Sequence, residues 1–124
     1  MRVILKGKNT DITPSLRQYI NEKITKPAKR YLGKRKEDGA VILELEVGRV
    51  TRHHRKGTVW YAEANLSLGG AMLRASHEGE NAHEVIDLVE EELLREIKKF
   101  KEKNQTRNIR GARKAKRMIR RDRE

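Results

Sequence analysis

The sequence predicts an α+β domain, a βαβββα two-layer sandwich in which a four-stranded sheet carries two helices on one face. Three observations predict it. Apolar residues recur every four positions at Leu16, Ile20 and Ile24; alternation with a period of two runs through residues 41–47 and 60–68; and a longer helical stripe follows between Val85 and Phe100. With 124 residues, 35% of them hydrophobic, the chain can close one small core.

The first strand spans residues 2–8, where Val3 and Leu5 alternate with Ile4 and Lys6 and Gly7 loosens the end. Thr13 then offers a helix N-cap. Pro14 sits at the first helical position, where its missing N–H would be unpaired anyway. The helix carries Leu16, Ile20 and Ile24 on one face, with Tyr19 and Tyr31 nearby, and Pro27 is expected to kink or end it. Gly33 and Lys34-Arg35-Lys36 read as a charged loop.

From Ala40 the period becomes two. Val41, Leu43, Leu45 and Val47 point one way, and Ile42, Glu44 and Glu46 the other. A basic polar turn at 51–57 leads to a strand over 58–68, with Trp60, Ala62, Ala64, Leu66 and Leu68 sharing a face. Gly69-Gly70 marks a hairpin, and a fourth strand occupies about 71–77. The last three strands form an antiparallel meander. The helical crossover makes the first strand parallel to its partner if the two are neighbours.

Gly79-Glu80-Asn81 breaks the strand, and Asn81 with Glu84 is similar to a capping box. Val85, Ile86, Val89, Leu93, Ile97 and Phe100 trace the second helix. Glu90, Glu91 and Glu92 lie in its first half and the lysines in its second, an order that complements the helix dipole. Two units follow: a domain over 1–103 and a basic, flexible C-terminal tail over 104–124, disordered by itself and able to fold on RNA. The tail holds nine Lys or Arg against two acids, so +7 of the +12 net charge lies there.

A formal charge of +12 and a pI near 10.2 predict attraction to a polyanion. Candidate phosphate contacts on the first helix are Arg17, Lys23, Lys26, Lys29 and Arg30, all off its apolar stripe. On the second they are Arg95, Lys98, Lys99, Lys101 and Lys103, and in the tail Arg110, Arg113, Arg117, Arg120 and Arg121. Arginine grips phosphate oxygens with a planar fork and lysine offers a point charge. A solvated helix face is the competing reading for the first set, dipole complementation for the second, and a solubility tail for the third. Aromatic residues make up only 4%, which favours backbone and shape recognition over base stacking. Trp60 reads as core.

Other chemistries find little support. There is no cysteine, and adjacent His53 and His54 point apart, so no metal site and no cofactor are expected. His77 and His83 have no evident partner in the sequence. Glu44, Glu46 and Glu63 read as exposed strand residues, and no nucleophile triad, Walker loop or HExxH motif occurs, so no catalytic residue is assigned. No apolar run reaches the length of a signal peptide or membrane span, which points to a cytoplasmic protein that does not engage membranes.

Ile12-Thr13-Pro14 opening a helix, continued by Leu16-Arg17 and Tyr19, resembles the ribosome hibernation-promoting and ribosome-associated-inhibitor family, also called the sigma-54 modulation family. The stretch from Val85-Ile86-Asp87-Leu88-Val89 through Arg95 and Lys98-Lys99-Phe100-Lys101 is similar to that family's second helix. The resemblance covers about residues 1–103. It implies a fold shaped like double-stranded-RNA-binding domains. It also implies a place on the small ribosomal subunit and its rRNA, in the channel of messenger RNA and the transfer-RNA anticodon stems. Competition with both RNAs would block translation sterically and protect idle ribosomes in a stress response. The basic tail stands where long members carry a dimerisation domain, so the chain resembles the short type, monomeric off the ribosome and without direct ribosome pairing. Two positions depart from the family pattern: Asn81-Ala82-His83 replaces an Asp-Met-Tyr triplet, and Glu92 stands at a position often basic. No DNA partner is expected. The alternatives are a general structured-RNA-binding protein and a transcription-modulating interaction protein.

Overall fold

A computed structural model describes the backbone of residues 1–51 and 58–123 and the side chains of residues 1–50 and 59–105. The sheet is built from β1 (Arg2–Lys8), β2 (Val41–Thr51), β3 (Thr58–Leu68) and β4 (Ala71–Gly79), in that spatial order. β1 pairs parallel with β2, and β2–β3 and β3–β4 are antiparallel, as the crossover and the two short turns require. Strand positions match the two-residue alternation. Val41, Leu43, Leu45 and Val47 of β2 and Ala62, Ala64, Leu66 and Leu68 of β3 are buried under the helices.

The first helical run covers the β1–β2 side of that layer. It comprises α1 (Pro14–Ile20), a π turn (Asn21–Thr25), α2 (Lys26–Leu32) and a 3-10 turn (Gly33–Glu37). Thr13 caps it, its Oγ1 accepting from the Leu16 N–H at 3.1 Å. Pro27 does not end the run. The π turn shifts the preceding hydrogen bond to a five-residue span, the Lys26 N–H reaching the Asn21 carbonyl, and so opens the turn that the Pro27 ring would crowd. The same turn serves the core. Leu16, Ile20, Ile24, Ala28 and Leu32 are all buried at a strict four-residue interval. Each such step overshoots a 3.6-residue turn by about 40°. A wider turn in the middle takes up the drift and keeps the stripe facing the sheet.

α3 (Ala82–Arg123) crosses β3 and β4. Its start is a variant of the capping box: Asn81 Oδ1 accepts from the Glu84 N–H at 2.8 Å, and the Glu84 carboxylate accepts from the Glu80 N–H at 3.0 Å. Val85, Ile86, Val89, Leu93 and Ile97 are fully buried. The helix does not stop near Lys103, where the sequence expects a tail disordered by itself. It continues to Arg123, about 63 Å in all at 1.5 Å per residue. The apolar pattern of the sequence ends at Phe100, but Arg, Lys and Ala retain high helix propensity and no proline interrupts them.

Gly7 does more than loosen a strand end. A Cβ there would stand 2.5 Å from the Thr10 carbonyl oxygen and 3.2 Å from Ile12 Cγ1, because the β1–α1 connection folds back over it.

Candidate nucleic-acid interface

The structure distributes the cations expected on the first helix instead of gathering them. Successive residues on a helix point about 100° apart, so lying off one apolar stripe still leaves three directions. Arg17 and Lys29 flank a groove beside β1. Lys26 and Arg30 are exposed, with Lys26 paired to Glu22 at 2.5 Å one turn away. Lys23 turns toward α3, 3.4 Å from the Glu90 carboxylate and 3.6 Å from that of Asp87. Glu90, then Asp87, raise the Lys23 pKa above its ordinary value. Lys23 is thus an interhelical tie before it is a phosphate contact.

The same junction holds Tyr19. Its hydroxyl donates to Asp87, and that bond, with partial burial, raises the phenol pKa. The His83 ring meets Tyr19 edge-on, with centroids 4.5 Å apart. His77 on β4 faces the Glu92 carboxylate on α3. Both histidines, partnerless in the sequence, therefore bind across elements, and Glu92 has a structural use at a position where the family pattern is often basic. His53 and His54 lie outside the described residues. Among the described residues no group of three His, Cys, Asp or Glu side chains is placed to hold a metal ion.

On α3, Arg95, Lys98, Lys99, Lys101 and Lys103 are exposed. Arg95 reaches Glu91 at 3.9 Å and Lys99 reaches Glu96 at 3.6 Å, both loose surface pairs that a phosphate can replace at little cost. Lys101 shares a depression of about 150 Å³ with Leu32, Arg35, Phe100, Asn104 and Gln105. There the Arg35 guanidinium lies over the Phe100 ring, 5.2 Å from its centroid. Arg35 is a cation that the candidate set missed. The run Lys34-Arg35-Lys36 was its signal, but only the fold shows that the 3-10 turn delivers it beside α3. The side chains of Arg110, Arg113, Arg117, Arg120 and Arg121 lie outside those described.

The opposite face of the sheet has a different charge. Glu44, Glu46 and Glu63 occupy its two central strands, with Glu46 directly across from Glu63, and they line a shallow depression with Lys6 and Asn65. The Tyr61 hydroxyl donates to Glu46 at 3.2 Å; burial, then this bond, raises the Tyr61 pKa. Trp60, on the helix side, is half-buried against the core, and the Arg49 guanidinium covers its ring at 5.1 Å. Neither aromatic offers an open stacking platform. A polyanion is therefore attracted to the helical layer and repelled by the middle of the sheet.

Comparisons with known proteins agree with this architecture. Residues 3–105 match the model of the family described as sigma 54 modulation protein / S30EA ribosomal protein. A ribosome hibernation promoting factor of Azotobacter vinelandii is 32% identical over 103 residues, covering 83% of this chain and 85% of the relative. That of Klebsiella oxytoca is 29% identical, with 83% and 96% covered. A ribosome hibernation promotion factor of Picosynechococcus is 28% identical, and this chain spans only about half of it, 51%. Among solved structures, the N-terminal domain of Thermus thermophilus protein Y superposes with a TM-score of 0.62 at 24% identity, covering 81% of this chain and 99% of that one. A ribosomal subunit interface protein from Coxiella burnetii gives 0.62 at 20%, covering 82% and 98%. These two show the shared fold. With its strand order, its capped helix starts and a family match over most of its length, the chain belongs to the sigma 54 modulation protein / S30EA ribosomal protein family.

Proposed function

We propose that this protein is a ribosome hibernation factor of the cytoplasm. It binds the small ribosomal subunit in the channel used by messenger RNA and transfer-RNA anticodon stems, inhibits translation by occupancy, and preserves idle ribosomes. The observation that carries the reading is the polarity of the body. Exposed cations on α1, α2 and α3 form one layer, while the central strands opposite present Glu44, Glu46 and Glu63. A two-layer body charged in this way docks on folded RNA in one orientation. Near-full-length relatives named hibernation promoting factors supply the ribosome as the source of that RNA. The role needs no bond-making step, because a rigid body in the channel excludes the other ligands. The basic extension of α3 adds phosphate contacts through Arg110, Arg113, Arg117, Arg120 and Arg121.

Co-sedimentation with purified ribosomal subunits tests it. The expected result is pelleting with small subunits, reversed by messenger RNA plus transfer RNA, and weakened about 10³- to 10⁵-fold between about 50 and 200 mM salt if some six to ten phosphates are contacted. Binding to bare structured RNA with no preference for small subunits would replace this reading with a general RNA-binding one. Capture of RNA polymerase components without rRNA would favour a transcriptional role.

A further inference from the structure

The helices cover the core side of β2, β3 and β4 but leave that side of β1 partly bare. Val3, on the core side of the sheet in register with Leu43, is 39% exposed. Between β1 and the first helical run lies a groove of about 600 Å³, within the roughly 300–1,000 Å³ of small-ligand sites. Val3, Leu5, Pro14 and Ile20 give it an apolar floor, Gln18, Asn21 and Thr25 add polar side chains, two of them amides, and Arg17 and Lys29 add positive charge. Gln18, Asn21, Arg17 and Lys29 are all exposed, so their polar ends are open to a ligand.

Each part matches a part of one ligand. A flat heterocycle covers apolar floor without leaving a buried polar group unpaired. Carboxamides carry both a donor and an acceptor and so can meet a base edge. The lining cations Arg17 and Lys29 attract the phosphates of a strand that runs along the groove, and a guanidinium plane such as that of Arg17 also stacks on bases. An acidic extended peptide pairing with the open β1 edge would use the floor and the cations but has less need of the two amides. We infer that the β1–α1 groove is a slot for one unstacked nucleotide of an RNA strand. The inference rests on the RNA-binding reading above and deepens it: the helical layer holds backbone, and the groove selects RNA with a base turned out of its stack. Duplex RNA keeps its bases inside and cannot fill the slot.

Methyl and amide NMR of the full chain decides the matter, with titrations of a short single-stranded RNA, an RNA duplex and an acidic peptide. The expected result is movement of the Val3 and Leu5 methyl signals with single-stranded RNA and not with duplex. The charge-neutral pair Gln18→Leu and Asn21→Leu, at exposed helix positions, should weaken single-strand binding at least about fivefold through two lost hydrogen bonds, while duplex binding and the thermal midpoint hold. Movement confined to the amides of Lys26 and Arg30, with silent methyls, overturns the slot and leaves the ribosome reading intact. Methyl movement with the peptide but not RNA overturns it in favour of a strand-pairing partner. Should no RNA bind and small subunits also fail to pellet the protein, both readings fall together.

Discussion

The Tyr19 hydroxyl donates a hydrogen bond to the Asp87 carboxylate, joining α1 to α3 across 68 positions of sequence. Lys23, one turn further along, reaches the same carboxylate and Glu90. These contacts fix how the two helices of the cationic layer lie against each other, and hence the spacing of the cations on either side.

Tyr19→Phe keeps the ring against His83 and removes the bond. It should cost about 0.5–1.5 kcal/mol at neutral pH, measured by urea unfolding. The sign with pH follows from the raised values of Tyr19 and Lys23, whose ordinary values are 10.0 and 10.5. For both groups the protonated form is favoured by the fold, so their contribution is fully present below those values and is lost as pH rises through the folded ones. Wild type should therefore lose stability more steeply above about pH 10 than Tyr19→Phe does. Parallel curves would remove Tyr19 from the account.

Gly7→Ala should destabilise the domain by about 1–3 kcal/mol, the usual cost of overpacking. The new methyl meets the Thr10 backbone at 2.5 Å, and backbone cannot swing aside as a side-chain tip can. Thermal denaturation checks it. A variant as stable as wild type would show that the β1–α1 connection relaxes freely.

Reversing Lys26, Lys29 and Arg30 together to glutamate should cut small-subunit binding and lower the salt slope by about two to three, near 0.7–0.9 for each phosphate lost. All three side chains are exposed, so unfolding free energy should stay within about 1 kcal/mol of wild type. Unchanged binding at matched stability would move the interface off this helix.

Truncation after Gln105 removes the basic extension and keeps every buried core residue among the described residues, the last of which is Ile97. The melting temperature should hold, while affinity for small subunits falls and its salt dependence flattens. A truncated protein that binds as tightly as the full chain would assign those arginines to solubility alone.

The strands, the antiparallel meander of the last three and both helix starts were legible in the residues, because alternation, capping and turn chemistry are encoded within a few positions; which strand the first one neighbours was decided by the fold. Val41 to Val47 needed only their period to be placed inward, and Thr13-Pro14 only their chemistry to open a helix. The extent of α3 to Arg123 is not signalled by the apolar pattern, which ends at Phe100; it follows from the helix propensity of Arg, Lys and Ala.

The sequence by itself determined the two-layer αβ architecture and an excess of positive charge, since burial periodicity and charge are local properties. Only the tertiary structure decided where each charge points and what it meets: Lys23 between helices, Arg35 over Phe100, His77 against Glu92, and a bare floor beside Val3. Those outcomes depend on how far each helix rotates and which strand it covers. That geometry is set by packing between residues distant in the chain, and spacing along the chain leaves no mark of it.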